Sequence, residues 1–250
     1  MTTGALIFAR NNEKIDYEAM ALWSVRNIER HLGIPTHIVT DHAPNNNTRH
    51  FADVGNVTWY NHNRMDAYRL SPWDRTLVLD ADYVVASNQL QAVLDVDQDF
   101  LAHRWAYDVT GCNDFEGLNS FGNIRMPMWW ATVIMFRKSK QAELIFDSMQ
   151  MIRDNWTHYR NLYKNTNTTY RNDHALSIAL GIVNGHTLGH PGIPWALASL
   201  TPEHKLTQLD QDQYRVDFVN TENKARWIEL RQDFHAMGKQ QLGAIVANPC

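Results

Sequence analysis

The sequence predicts an α/β domain built on an open, mostly parallel sheet, and three observations carry that prediction. Residues 4 to 41 read as strand, helix, strand. The run TLVLDADYVV, 76 to 85, is apolar and β-branched, as a strand buried on both faces should be. Residues 17 to 32 and 140 to 156 carry apolar side chains at helical spacing.

GALIFAR, 4 to 10, is the first strand, and it runs out into polar Arg10, Asn11 and Asn12. Ala21, Leu22, Val25, Ile28 and Leu32 then mark a helix from Tyr17 to Leu32, which Gly33 and Pro35 stop. THIVTD, 36 to 41, is the second strand and closes on Asp41. HAPNNNTRH, 42 to 50, is a polar loop, and VTWYN, 57 to 61, reads as a short strand. Residues 64 to 70 look helical until Ser71-Pro72 breaks them, just before the 76–85 strand.

Beyond Asn88 a short helix leads to the strand DFLAHRW, 99 to 105. The Gly- and Asn-containing stretch 111 to 123 is expected as a loop over the site, and 128 to 136 as a further strand. Residues 140 to 156 form an amphipathic helix whose apolar face is Leu144, Ile145, Met149 and Ile152. Asn172 to Ile182 is the next helix, with Asn172 as its N-cap and Asp173 in its first turn. The remainder is less regular. No repeat, low-complexity tract or linker divides the 250 residues, so a single domain is expected over 1 to 250. The 76–85 strand falls in its first half, 1 to 100, and 101 to 250 form the second.

Composition narrows the function classes. With 44% hydrophobic and 20% charged residues the chain can bury one substantial core. A net charge of −4 argues against a wholly basic nucleic-acid coat but leaves room for a local patch. Cys112 and Cys250 make no disulfide framework, which fits a reducing cytoplasm. There is no signal-like start and no 18-residue apolar stretch, so neither secretion nor membrane spanning is expected.

The chemistry concentrates at Asp80 and Asp82. Unpaired carboxylates in a buried strand would cost several kcal/mol, on the order of a lost polar contact or more. A divalent cation at the strand's end, its coordination completed by a pyrophosphate, would compensate them. A turn-capping Asp80 with a solvated Asp82 is the plainer alternative. Ligands of open α/β sheets lie beyond the carboxyl ends of strands, where Arg10, Asn11, Asp41 and this pair all fall. Near the end, DFHAMGK (233 to 239) offers an imidazole from His235, a small Gly238 for close phosphate approach, and the cation of Lys239.

A strand ending in D-x-D, a basic helix just before it in NRMDAYRLSPWDRTLVLDADYVV (63 to 85), and a distal H-x-x-G-K together resemble one family. They resemble the GT-A glycosyltransferases, above all the glycogenin-like and lipopolysaccharide galactosyltransferase-like group. The likeness runs in order from the first strand to residue 239. It implies a GT-A (Rossmann-like) mixed, mostly parallel sheet flanked by helices. It also implies a nucleoside diphosphate sugar donor, UDP-linked in the first instance, with Mn²⁺ or Mg²⁺ held by Asp80, Asp82 and His235. Lys239 and Gly238 would then meet the diphosphate, Arg10 and Asp41 the nucleoside, and Arg64 and Arg69 the diphosphate or sugar. Asp173 falls where relatives place an acid beside donor sugar and acceptor; a helix N-terminal charge favouring the dipole is the alternative. Relatives also imply retention of anomeric configuration.

The chain departs from that pattern twice. MWWATVIMF, 128 to 136, replaces the usual Asn-x-Gly-like signature, leaving Trp129 and Trp130 as sugar-stacking or core residues. Gln240 and Gln241 stand where relatives carry Pro-Trp after the lysine. For the acceptor, bases and aromatics interleave in 153 to 171, where Arg153, Arg160, Lys164 and Arg171 face one acid, Asp154. That stretch is a solvated helix face, a glycan grip or a phosphate-backbone grip. The compact form without an anchor resembles phage sugar transferases, which act in the host cytoplasm on hydroxylated bases of DNA. Rival readings of the same acids are a metal-dependent phosphohydrolase or nuclease, and a fold that binds nucleotide sugars without catalysis.

Overall fold

The computed structural model describes residues 1–40, the backbone of 48–50, and residues 64–187 and 189–248. The expected strand at 57 to 61, Asp41 and Cys250 lie outside the described residues.

The first half follows the predicted order. Strand β1 (Thr3–Phe8) leads to helix α1 (Tyr17–Leu32), then β2 (Thr36–Thr40) and β3 (Thr48–His50). The Asp16 carboxylate caps α1 by accepting from the Ala19 N–H, and Gly33, at φ 63°, closes it in the left-handed conformation that only glycine adopts without strain. Residues 48 to 50, expected within a loop, instead add a parallel strand beside β2, because paired backbone groups need no apolar side chains. A 3₁₀ turn over Arg64–Asp66 runs into α2 (Ala67–Leu70) and then β4 (Arg75–Asp80).

The predicted strand 76–85 is two strands. It breaks after Asp80, turns through Ala81 and Asp82, and resumes as β5 (Tyr83–Val84) in a different sheet. After α3 (Gln91–Leu94) come β6 (Phe100–His103), β7 (Ala106–Asp108), the short pair β8 (Ser120–Phe121) and β9 (Met126–Pro127), and β10 (Trp130–Arg137). Helices α4 (Lys140–Asp154), α5 (Trp156–Leu162) and α6 (Asn172–Val183) follow. Arg171, not Asn172, is the N-cap residue of α6; Asn172 is already helical and buried. Leu144 is exposed rather than core, because it lies about 100° around the helix from Ile145, whose stripe continues at Met149 and Ile152.

The main sheet has the order β3-β2-β1-β4-β10-β6, parallel through β4 and antiparallel at β10 and again between β10 and β6. It is a mixed, mostly parallel sheet buried on both faces. Along β4, Leu77 and Leu79 join a core shared with α1, while Val78 joins one shared with α4 and α6.

The end of the chain is more regular than expected. β11 (Leu197–Leu200) precedes a three-stranded antiparallel meander of β12 (Lys205–Asp210), β13 (Gln213–Val219) and β14 (Ala225–Leu230). β15 (Phe234–Ala236) and α7 (Lys239–Ala247) complete the described chain. A second sheet, β5-β15-β11-β7, ties this tail to the D-x-D turn. Among the described residues no helix is long and apolar enough to cross a membrane.

Candidate cation and diphosphate site

Sheet topology assembles the site from both ends of the chain. Phe8 pairs with Asp80, so Arg10 and Asp80 emerge at the same carboxyl edge. The break after Asp80 lets β5 pair with β15, with Tyr83 opposite His235. The Ala236 N–H donates to the Asp82 carbonyl at 2.9 Å and holds His235 beside Asp82. Ligand atoms of Asp80, Asp82 and His235 lie within 4.8 Å of one another. Ligand bonds of roughly 2.0–2.2 Å would bring such atoms onto one first-row divalent cation after a small contraction. Two carboxylates suit Mn²⁺ or Mg²⁺, and the imidazole favours Mn²⁺ of the two. His235 Nδ1 is buried without a hydrogen-bond partner, and Asp82 Oδ2 accepts no well-aligned hydrogen bond. The residues fit a cation.

Each carboxylate is already matched by a protein cation. Lys239 Nζ sits 2.6 Å from Asp82 Oδ2, and His235 Nε2 lies 3.4 Å from the same oxygen. Buried Arg64 pairs with the Asp80 carboxylate and reaches toward the Leu79 carbonyl at 3.4 Å. Burial pushes Asp82 upward, but His235 and Lys239 outweigh it and hold the carboxyl well below the usual range. Burial pulls Lys239 down, and Asp82 more than offsets this, leaving the ammonium raised above its ordinary value. Burial draws Arg64 down to about 10, so it remains charged at neutral pH.

A cavity of about 280 Å³ opens over these groups. Asp173 forms its far wall: Oδ1 accepts from the Ala131 N–H at 2.9 Å and Oδ2 from Arg171 at 3.1 Å. Arg10 and Trp130 line it too, whereas Trp129 faces the other core.

Not every expected residue arrives. Arg69 is 68% exposed and pairs with Asp66 at 2.7 Å, away from the cavity. Five residues along a helix from Arg64 it points about 140° away, so one of the two must face out. Gly238 does not line the cavity; its φ of −77° is ordinary, and a Cβ there would meet Gln241 and Pro202 at 3.4 Å. None of residues 111 to 123 lines the cavity, so the stretch expected over the site lies elsewhere. Asn11 is used locally, accepting from the Glu18 N–H at 2.9 Å. Conversely, Tyr17 and Asn172 line the cavity unforeseen, and Arg171, expected toward the acceptor, lines it as well.

These features define an α/β protein with three residues at its sheet edge that could hold a cation, beside Lys239, Arg64 and the Asp173 carboxylate. No family model and no curated protein matches the chain. Among solved structures it is similar to the glycosyltransferase GlyE of Streptococcus pneumoniae TIGR4, at 13% identity and TM-score 0.47. That match covers 78% of this chain and 46% of the other, so the chain spans about half the length of that protein. It is also similar to the galactosyltransferase LgtC in complex with donor and acceptor sugar analogs (15% identity, 71% and 70% covered, TM-score 0.44). Mouse xyloside xylosyltransferase 1 is a third (10%, 74% and 83%, 0.45). These likenesses are remote, and the chemistry rests on this chain's own residues.

Proposed function

We propose that the chain is a metal-dependent glycosyltransferase of the GT-A type, moving a sugar from a nucleoside diphosphate sugar, UDP-linked first, to a hydroxyl acceptor. The observation that carries this reading is the convergence of Asp80, Asp82 and His235 with Lys239 and Arg64 in one cavity that Asp173 faces. A bound Mn²⁺ or Mg²⁺ supplies Lewis-acid stabilisation of the departing diphosphate. Lys239 and Arg64 add fixed positive charge where negative charge grows as the glycosidic bond breaks. Arg10 and Arg171 extend that charge along the cavity wall. Asp173, held by Ala131 and Arg171, presents a carboxylate to the sugar and the incoming hydroxyl, and the Trp130 ring offers an apolar wall. The expected course is retention.

Among the described residues the acids and histidines form one three-ligand group. Two-metal hydrolysis would call for a second, which favours transfer over a phosphohydrolase. For the acceptor, two of the four cations in 153 to 171 pair with acids: Arg153 with Asp154, while also contacting Met65 Sδ at 3.6 Å, and Arg171 with Asp173. Arg160 has its Nε buried, and Lys164 is exposed, a thin grip for a DNA backbone, so a saccharide hydroxyl becomes the first acceptor to try and hydroxylated DNA the second. The test is a thermal-shift screen of nucleotide sugars with and without Mn²⁺, followed by transfer assays on both acceptor classes. A stabilising donor that needs Mn²⁺, with turnover abolished in Asp80→Ala and Asp82→Ala, is the expected result. Metal-independent turnover surviving both substitutions would sink the reading.

A further inference from the structure

A second, larger cavity of about 860 Å³ shares no lining residue with the candidate site and falls within the size range of small-molecule pockets. The chain reverses its facing at consecutive tryptophans: Trp130 belongs to the core beneath the first cavity, and Trp129 walls the second. Helix α6 serves both. Asp173 in its first turn faces the first cavity, while Ser177, Gly181 and its C-cap Asn184 face the second.

This cavity has the opposite chemistry. Among the described residues no aspartate or glutamate lines it. Its polar wall holds Arg125, exposed at the rim, with His186, His190 and Asn184. His190 is 9% exposed, and neither of its ring nitrogens makes a well-formed hydrogen bond within the protein; the Asn184 Nδ2 is likewise buried without an acceptor. Native proteins rarely leave such capacity unmet unless something outside the chain meets it. The flat surfaces are built. The Arg104 guanidinium stacks on Trp105 at 4.2 Å while donating to the Asn119 and Met128 carbonyls at 3.0 Å each, which fixes a half-exposed indole at the cavity edge. Gly181 lets Met126 and His186 pack close at the cavity wall: a Cβ there would come within 2.3 Å of Met126 Cε, the movable end of a flexible side chain, and 3.2 Å of His186 Nδ1.

An excess of donors over carboxylates selects a ligand rich in acceptors, and indole walls select a planar one. Neutral sugars, which need acceptors for their hydroxyl protons, are disfavoured by the lack of any acid. We propose that this cavity is a second ligand site for a small planar ring bearing an anionic group, of the aryl or nucleoside phosphate class. Arg125 supplies the charge-assisted contact, the tryptophans the stacking surface, and His190 and Asn184 the unmet hydrogen bonds. The proposal does not depend on the glycosyltransferase reading.

Calorimetric titration of the intact chain with phenyl phosphate, in EDTA, tests it, with benzyl alcohol as the uncharged comparison. One site with a Kd of about 0.1–1 mM is expected, roughly tenfold weaker in Arg125→Glu and in His190→Phe. Binding should persist in Lys239→Ala, which weakens the first cavity. Benzyl alcohol should show no comparable heat. Unaltered binding in Arg125→Glu, loss in Lys239→Ala alone, or no binding at all would overturn the proposal. Benzyl alcohol binding as tightly as phenyl phosphate would overturn its anionic part. Arg125 is exposed and its backbone, at φ 50°, asks the same of Glu as of Arg, so that variant decides the matter even where His190→Phe fails to fold.

Discussion

Asp82 and His103 are both buried, at 3% and 0% exposure, yet they end in opposite charge states. Burial works against the ionised form of each. At Asp82 the tail brings the Lys239 ammonium and the His235 ring, which together outweigh burial, so the carboxylate stays charged. At His103 no charge opposes burial; the bond between Nδ1 and the Trp195 carbonyl, at 3.0 Å, offsets it only in part, and the ring is pushed down to about 4. His190 beside the second cavity is also pushed to about 4 by burial, with the Phe100 backbone opposing only weakly. Depth alone therefore does not set charge. The partner does, and at the edge where a cation and a diphosphate would bind the partners are Lys239 and Arg64.

The largest expected effect breaks the histidine side of that comparison. A histidine whose folded value is near 4 and whose unfolded value is about 6.5 binds fewer protons folded than unfolded in that window, so stability falls as pH drops from about 6.5 toward 4. Each of His103 and His190 contributes up to about 3 kcal/mol of this loss. Urea unfolding at neutral pH and at pH 5 should show it, and His190→Phe should remove close to half of the pair's share. A flat stability profile over that range would mean that these rings are protonated in the folded chain.

The next effect addresses the carboxylate side. Asp82→Ala removes one cation ligand and strips Lys239 of its partner. Mn²⁺ binding measured by calorimetry should vanish and turnover should fall roughly 10²–10³-fold. Asp173→Asn keeps an oxygen able to accept from the Ala131 N–H, so the wall should stand. Its turnover should still drop about 10²-fold, with donor KM and Mn²⁺ affinity unchanged. An Asp173→Asn variant with full turnover would reduce that residue to a helix N-terminal charge.

Much of this was legible in the chain because it is local. The continuous apolar runs of β1 and β4, the stripe of α1 and the acids after Leu79 are short-range patterns. What escaped depends on distant partners. β15 is three residues long and gains its meaning only by pairing with β5 across some 150 residues, a contact no periodicity announces. The meander escaped for another reason. β14 is exposed along most of its length, with Trp227 at 55%, so its apolar pattern was too thin to read as a buried strand. The motif residues Asp80, Asp82, His235 and Lys239 were visible as types; their neighbour Tyr17 was not, since a lone tyrosine has no spacing to betray it.

The smallest effect sharpens the comparison most. Both carboxylate ligands hold protein cations, Arg64 on Asp80 and Lys239 on Asp82, so an incoming Mn²⁺ competes with charges already in place. An exposed pair is worth little, but Arg64 is buried at 5% exposure and Asp80 is only 27% exposed, so displacement carries a real cost. A diphosphate offsets that cost by accepting the displaced cations, so metal and donor should bind each other's complexes more tightly than the free chain. Arg64→Ala removes one competitor and one diphosphate partner together. Its Mn²⁺ affinity without donor should therefore rise by about two- to fivefold, while the gain in Mn²⁺ affinity on adding UDP should shrink by a similar factor. A variant that instead lost Mn²⁺ affinity without donor would show Arg64 to be a support that orients Asp80, and the contrast between paired carboxylates and solitary histidines would then describe packing rather than a poised binding site.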